Sequence, residues 1–241
     1  MELRHTSDAG VPGSCLGIMA EVLGFVLFAF LSRYVMSLFF WRYAGPVSLL
    51  LTLGLLTLYM RKRGFAWSSL GLRSLPDVRA RLFVIPQALL TLVAFAGVVG
   101  ITTIGLPHIG FDFMKDMPAG VDDRWGDVAG SVPHYLLWLA IVWTAAAFGE
   151  EMFFRGYLIS RLQLALGGGK LGAVAAVLLS ALIFGYGHFY YQGLRGVIVT
   201  GGIGLAFGAM FLLFRRNLWP LILLHGVIDT LTFTAIFMEW K

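Results

Sequence analysis

Apolar residues gather along this chain in long blocks instead of alternating with polar ones, and each block is near the roughly 20 residues that a helix needs to cross a hydrocarbon core. Seven blocks stand out, at about 16–40, 44–60, 82–105, 134–165, 171–190, 195–214 and 218–238. The pattern predicts an all-α fold, a polytopic membrane protein made as a bundle of about seven transmembrane helices. One membrane domain, 1–241, then takes up nearly the whole sequence. Two longer polar stretches interrupt it. RKRGFAWSSLGLRSLPDVRAR, at 61–81, is strongly basic, whereas 106–133 is acidic and broken by Pro107, Pro118 and Pro133. The first block follows Glu2, Arg4 and Asp8 and lacks the basic start and small-residue cleavage site of a signal peptide, so it is expected to be a retained span.

Composition agrees with the pattern. Charged residues are 13% of the chain against about a quarter in a soluble domain, and 59% of residues are hydrophobic, which leaves no room for a separate soluble unit. The net charge of +5 therefore bears on topology more than on partners, and nucleic-acid binding would need a soluble basic face that is absent. Cys15 is the single cysteine, which excludes an internal disulfide and a zinc–thiolate cluster.

The positive-inside rule counts Lys and Arg. With the N-terminus in the cytoplasm, the inner set is Arg4, Arg61, Lys62, Arg63, Arg73, Arg79, Arg81, Arg155, Arg161, Lys170, Arg215 and Arg216. The outer set is only Arg42, Lys115, Arg124, Arg195 and Lys241, with Arg33 inside the first span. The bias predicts a cytoplasmic N-terminus, an outside C-terminus, a cytoplasmic basic loop 61–81 and a non-cytoplasmic acidic loop 106–133. The basic loop is also expected to touch anionic headgroups. Gly204 and Gly208, four apart in a glycine-rich span, read as helix packing.

Ionisable groups at bilayer depth cost about 2.5–3.5 kcal/mol each on insertion scales, so those present mark function. Within FGEEMFFRGYL lie Glu150, Glu151 and Arg155; IFGYGHFYY carries His188 four residues after Phe184; LLHGVIDT carries His225 and Asp229. Glu21 and Arg33 lie nearer the ends of the first span. Glu151 and Arg155 are four apart with the acid first, the favourable order for a same-face pair. Glu150 is rotated about 100° from Glu151 on an α-helix and is the carboxylate left free. His225 and Asp229 share a face with about 6 Å of rise between them. If the fourth helix continues through GYLISRLQLAL to Gly167, Gly168 and Gly169, Glu150 and His188 both lie about 26 Å from that turn. They are then level and able to share one polar pocket, with His225 and Asp229 somewhat closer to the cytoplasmic side. His5, His108 and His134 are expected at the surface, and Phe153, Phe154, Trp138, Trp143 and Trp219 as packing or lipid-facing groups.

The three motifs resemble the CAAX protease and bacteriocin-processing family (CPBP, ABI) of intramembrane proteases, related to the Ras-converting prenyl protease. EExxxR stands as Glu150, Glu151 and Arg155, extended by FRG at Phe154, Arg155 and Gly156. FxxxH stands as Phe184 and His188, and HxxxD as His225 and Asp229. The similarity covers roughly 134–238, the expected catalytic core, and WSSLGLR at Trp67 to Arg73 is similar to a recurring segment of such proteins. The resemblance implies an intramembrane endopeptidase acting on a membrane-associated or exported protein or peptide. Glu150 would activate water; His188, His225 and Asp229 would complete the site, supported by Glu151, Arg155 and Phe184.

The last motif position departs from the asparagine usual in the prenyl-protease branch. Asp229 donates a hydrogen bond only when protonated, so as a carboxylate it would orient His225 or ligate a cation. Zinc, held by Glu150, His188, His225 and Asp229, is thus the alternative to the favoured glutamate-activated water without a cofactor. Two further classes stay open: a non-catalytic membrane scaffold or immunity protein on the same fold, and a cation- or proton-coupled transporter. The expected location is a bacterial inner (cell) membrane, with the lipid bilayer and a protein substrate as partners.

Overall fold

The computed structural model of the chain describes residues 14–116 and 118–240; Glu2, Arg4, His5, Asp8 and Lys241, used above for the termini and their charge, lie outside them. The described residues contain no strand. Five helices among them are long and apolar enough to cross a membrane: α1 (Cys15–Lys62), α2 (Val78–His108), α3 (Val132–Ala165), α4 (Gly169–Leu213) and α5 (Trp219–Phe237). Seven separate helices become five because the turns expected near 41–43 and 191–194 are not loops. The chain reverses there within one or two residues.

A straight α1 of 48 residues would measure about 72 Å, more than twice the roughly 30 Å hydrocarbon core. It is folded back. Phe40 leaves helical geometry (φ −152°, ψ 71°). Beyond it the Tyr59 hydroxyl donates to Glu21 Oε2 at 2.8 Å, and the Phe25 and Tyr59 rings lie 5.4 Å apart. Contacts between residues 34 to 38 positions apart require the two arms to run side by side. In α4 the reversal falls on Gly193 (φ 57°, ψ −154°), a left-handed φ that glycine adopts without a Cβ clash. Small residues then seat one arm on the other: a methyl added at Gly208 would lie 2.8 Å from Val177 Cγ1, and one at Gly204 would lie 3.1 Å from Ala181 Cα. The packing role expected of these glycines is therefore an interhelical one.

Local signals set the ends. Ser14 caps α1 by accepting from the Gly17 amide at 3.1 Å, and Asp77 caps α2 by accepting from the Ala80 amide at 2.7 Å. Pro133 and Pro220 stand in the first turns of α3 and α5, where a missing N–H costs nothing. Three glycines of positive φ, Gly167 to Gly169, carry the turn from α3 into α4, so α3 does run unbroken to the glycine turn.

α3 is the centre of the bundle, in contact with α1, α4 and α5. Met152, Phe153, Leu158 and Ile159 of α3 are fully buried in the main apolar cluster. A second cluster joins Val128 of the acidic loop to Trp138, Val142 and Phe233. Glu21 staples α1 to α3: it accepts from Tyr157 Oη at 3.1 Å and from Arg161 Nε and Nη2 at 2.9 and 2.7 Å. Outward faces are apolar and bare, as at Leu16, Leu23, Leu27 and Leu31, which suits lipid as solvent. This is an integral membrane protein.

Both polar loops dock on the bundle. Gly71 accepts at its carbonyl from the Leu218 amide at 3.1 Å. A methyl at Gly156, the glycine of the FRG triplet, would lie 2.8 Å from the Leu70 carbonyl oxygen. That close approach explains the triplet's glycine as a seat for the WSSLGLR segment.

The tight α4 hairpin generates a test. A Cβ at Gly185 would lie 2.6 Å from the Val197 carbonyl oxygen, a backbone atom that cannot swing away. Gly185→Ala is expected to cost about 1–3 kcal/mol, read as a lowered unfolding temperature in detergent. Gly54→Ala, which meets nothing within 4 Å, is expected to leave that temperature unchanged or raise it.

Candidate active site

The EExxxR motif lies on a stretch of α3, Val142–Ile159, wound with i→i+5 hydrogen bonds. Such π-type winding is rare and gathers at functional sites. It widens the turn relative to the α-helix assumed from sequence, so the angle between neighbouring side chains is smaller than 100°. The division of labour between the two glutamates nevertheless holds. Glu151 is completely buried, whereas the Glu150 side chain is 22% exposed and lines a cavity of about 280 Å³ within the bundle.

Glu151 is held from two sides. Arg155 Nη1 donates to its Oε1 at 3.1 Å, and His225 Nδ1 lies 2.9 Å from the same oxygen. A carboxylate paired with a guanidinium can only accept, so His225 Nδ1 bears a proton and donates it to Glu151. Nε2 then turns toward the cavity, 3.9 Å from Glu150 Oε2 and 3.5 Å from Asp229 Oδ2. From sequence, a carboxylate at Asp229 was expected to orient His225 or to ligate a cation. The closer partner is Glu151, and Asp229 sits on the opposite nitrogen.

Phe184 has a physical task in its motif. The Arg155 guanidinium lies 4.5 Å from its ring centroid and 5.2 Å from that of Phe207, a favourable cation–π geometry for a desolvated cation. The Phe184 ring also meets the His188 ring edge-on at 4.8 Å. His188 Nδ1–H donates to the Phe184 carbonyl at 2.9 Å, which leaves Nε2 for the cavity. Glu150, His188, His225 and Asp229, from three helices, all line this one cavity.

Among the described residues, no three of His, Cys, Asp or Glu gather as a set able to hold a metal ion. Zinc on Glu150, His188, His225 and Asp229 stays the alternative to a glutamate-activated water.

The same cavity is lined by residues that sequence reasoning placed elsewhere. Arg33 of α1, set aside as lying inside the first span, and Arg124 of the acidic loop, counted as a topology charge, reach it, as do Trp125, Trp138 and Tyr191. Arg33 could have been suspected as an arginine inside a span. Arg124 carried no local signal, because only the folding of its loop onto the bundle brings it in. Of the tryptophans expected to face lipid or pack, Trp138 is 4% exposed and stacks on Phe233 at 5.3 Å, while Trp143 is substantially exposed.

The buried pair generates a test. Removing Glu151 strands the Arg155 charge in an apolar core, at a cost of about 3–5 kcal/mol. Glu151→Ala is expected to unfold at a clearly lower temperature in detergent than the parent, whereas Glu150→Ala, on the cavity wall, is expected to unfold close to it.

Residues 132–231 match the profile described as type II CAAX prenyl endopeptidase Rce1-like. No curated protein and no solved structure gives a match.

Proposed function

On the premise that residues 132–231 form a domain of the type II CAAX prenyl endopeptidase Rce1-like family, we propose that this protein is an intramembrane endopeptidase that cleaves a membrane-associated or exported protein. The observation that carries the reading is the single cavity, within the helix bundle, that Glu150, His188 and His225 all line.

In this reading Glu150 takes a proton from water as the water oxygen bonds to the peptide carbonyl carbon. His188, with its proton committed to Phe184, accepts from that water at Nε2 and orients it. Charge passes to the carbonyl oxygen. His225, doubly protonated, donates from Nε2 to this oxyanion, and Asp229 beside it balances the imidazolium. Glu150 then returns its proton to the departing amine as the C–N bond breaks. Glu151 touches no substrate; it fixes His225 and is a positioning residue. No cofactor is required by these steps.

The α1 and α4 hairpins each supply two crossings, so the bundle spans the bilayer seven times. The N-terminus then lies in the cytoplasm and the C-terminus outside, with loop 61–81 inside and loop 106–133 outside, in a bacterial cell membrane.

Purified protein in detergent, given a panel of tagged membrane-protein substrates, tests the reading. Cleavage by the parent, its loss by at least about 100-fold in Glu150→Ala and in His188→Ala, and its persistence in a strong chelator are expected. Full cleavage by either variant contradicts the assignment of that residue, and loss of cleavage in chelator contradicts the metal-free chemistry. Variants that still complement a deletion in the host would instead favour the scaffold reading.

A further inference from the structure

The cavity wall carries charge of both signs. Glu150, Asp229 and His225 line it, and so do Arg33 and Arg124, which lie toward His188 through Gly187 and Tyr191. Arg124 is 9% exposed and its Nε has no hydrogen-bond partner. Its guanidinium is caged by aromatic rings, 4.4 Å from the Tyr191 centroid, 5.5 Å from Trp138 and 5.7 Å from Trp125. Arg33 donates from Nη1 to the Gly187 carbonyl, next to His188, and lies 5.4 Å over the Tyr190 ring. Among the described residues no carboxylate stands within ion-pair distance of either arginine.

A guanidinium carries five N–H donors in a planar fork, and taking one out of water costs several kcal/mol unless an anion meets it. Here two line one cavity, fixed by rings and by the backbone instead of by acids. The short helix Ala119–Trp125 that delivers Arg124 is itself seated firmly. A methyl at its Gly120 would lie 2.5 Å from the Tyr191 carbonyl oxygen. The placement is thus built into the fold and is not a loose loop charge.

Resting on the endopeptidase reading above, we propose that Arg33 and Arg124 form an anion subsite that binds a carboxylate of the peptide substrate and so fixes which bond reaches Glu150. Planar, bidentate capture is what a guanidinium offers a carboxylate. The carboxylate is either the chain terminus or an acidic side chain, and the chemistry of capture is common to both.

Binding is measured on purified Glu150→Gln protein in detergent, so that no probe is consumed, by quenching of the emission of Trp125 and Trp138 beside the subsite. Three N-acetylated tetrapeptides of alanine and leucine serve as probes: one with a free terminal carboxylate, one amidated, and one amidated with an internal glutamate. At least one carboxylate probe is expected to bind tenfold or more tighter than the neutral amide. The free-terminus and internal-glutamate arms tell which source the subsite takes. The preference should vanish when Arg33→Gln or Arg124→Gln is added and persist with Arg33→Lys, each variant keeping its helical circular-dichroism spectrum. Equal binding of all three probes, no saturable binding, or a preference that survives Arg33→Gln with Arg124→Gln overturns the subsite. Absent cleavage by the parent with the preference intact counts against the endopeptidase reading alone.

Discussion

A carboxylate sealed from both water and lipid is tolerable only if its charge is paired, and the bundle is arranged around one such group, whose Oε1 takes both partners while Oε2 takes no hydrogen bond. Glu151 is fully buried, with Arg155 Nη1 at 3.1 Å and His225 Nδ1 at 2.9 Å on one oxygen. The pair couples α3 to α5 directly, and Arg155, lying over Phe184 and Phe207, couples both to α4. Three helices are thereby held in register by one ionic contact. Its energetic worth is not a gain over an apolar core; such pairs seldom are. What it supplies is a defined orientation for His225 and, one residue earlier on the same helix, a place for Glu150 on the cavity wall.

Function then follows from asymmetry between adjacent acids. Glu150 and Glu151 are chemically identical and one bond pattern apart, yet one is committed to a guanidinium and an imidazole while the other meets open space. The π-type winding of Val142–Ile159 helps by broadening the helix where both must be accommodated. Phe184 works at both ends of its motif. Its ring meets Arg155 and its carbonyl fixes the His188 tautomer. A motif that reads as an apolar residue followed by a histidine is thus a device for turning Nε2 toward the cavity.

Much of this was legible in the residues. Block lengths give an all-helical membrane protein, and four-residue spacings give the Glu151–Arg155 pair and the shared cavity of Glu150, His188, His225 and Asp229. What sequence could not give was tertiary. The blocks at 16–40 and 44–60 read as separate spans, but their turn is the single non-helical residue Phe40, itself neither proline nor glycine. The order of partners on His225 was also hidden, because Glu151 lies 74 positions away whereas Asp229 is its helical neighbour. Arg124 was invisible for a similar reason: a loop rich in Asp looks solvated until Val128 and Met114, both buried, are seen to pull it onto the bundle.

The central claim is that Glu150 faces a water-filled chamber inside the membrane. Thiol accessibility reads this directly, in a Cys15→Ser background that removes the single native cysteine. In intact membranes, Glu150→Cys should react with a small charged methanethiosulfonate, while Leu158→Cys, at a position with no exposure, stays unmodified. A Glu150→Cys thiol that ignores the charged reagent and reacts only with a lipid-soluble maleimide would place the side chain in the acyl phase and contradict the account.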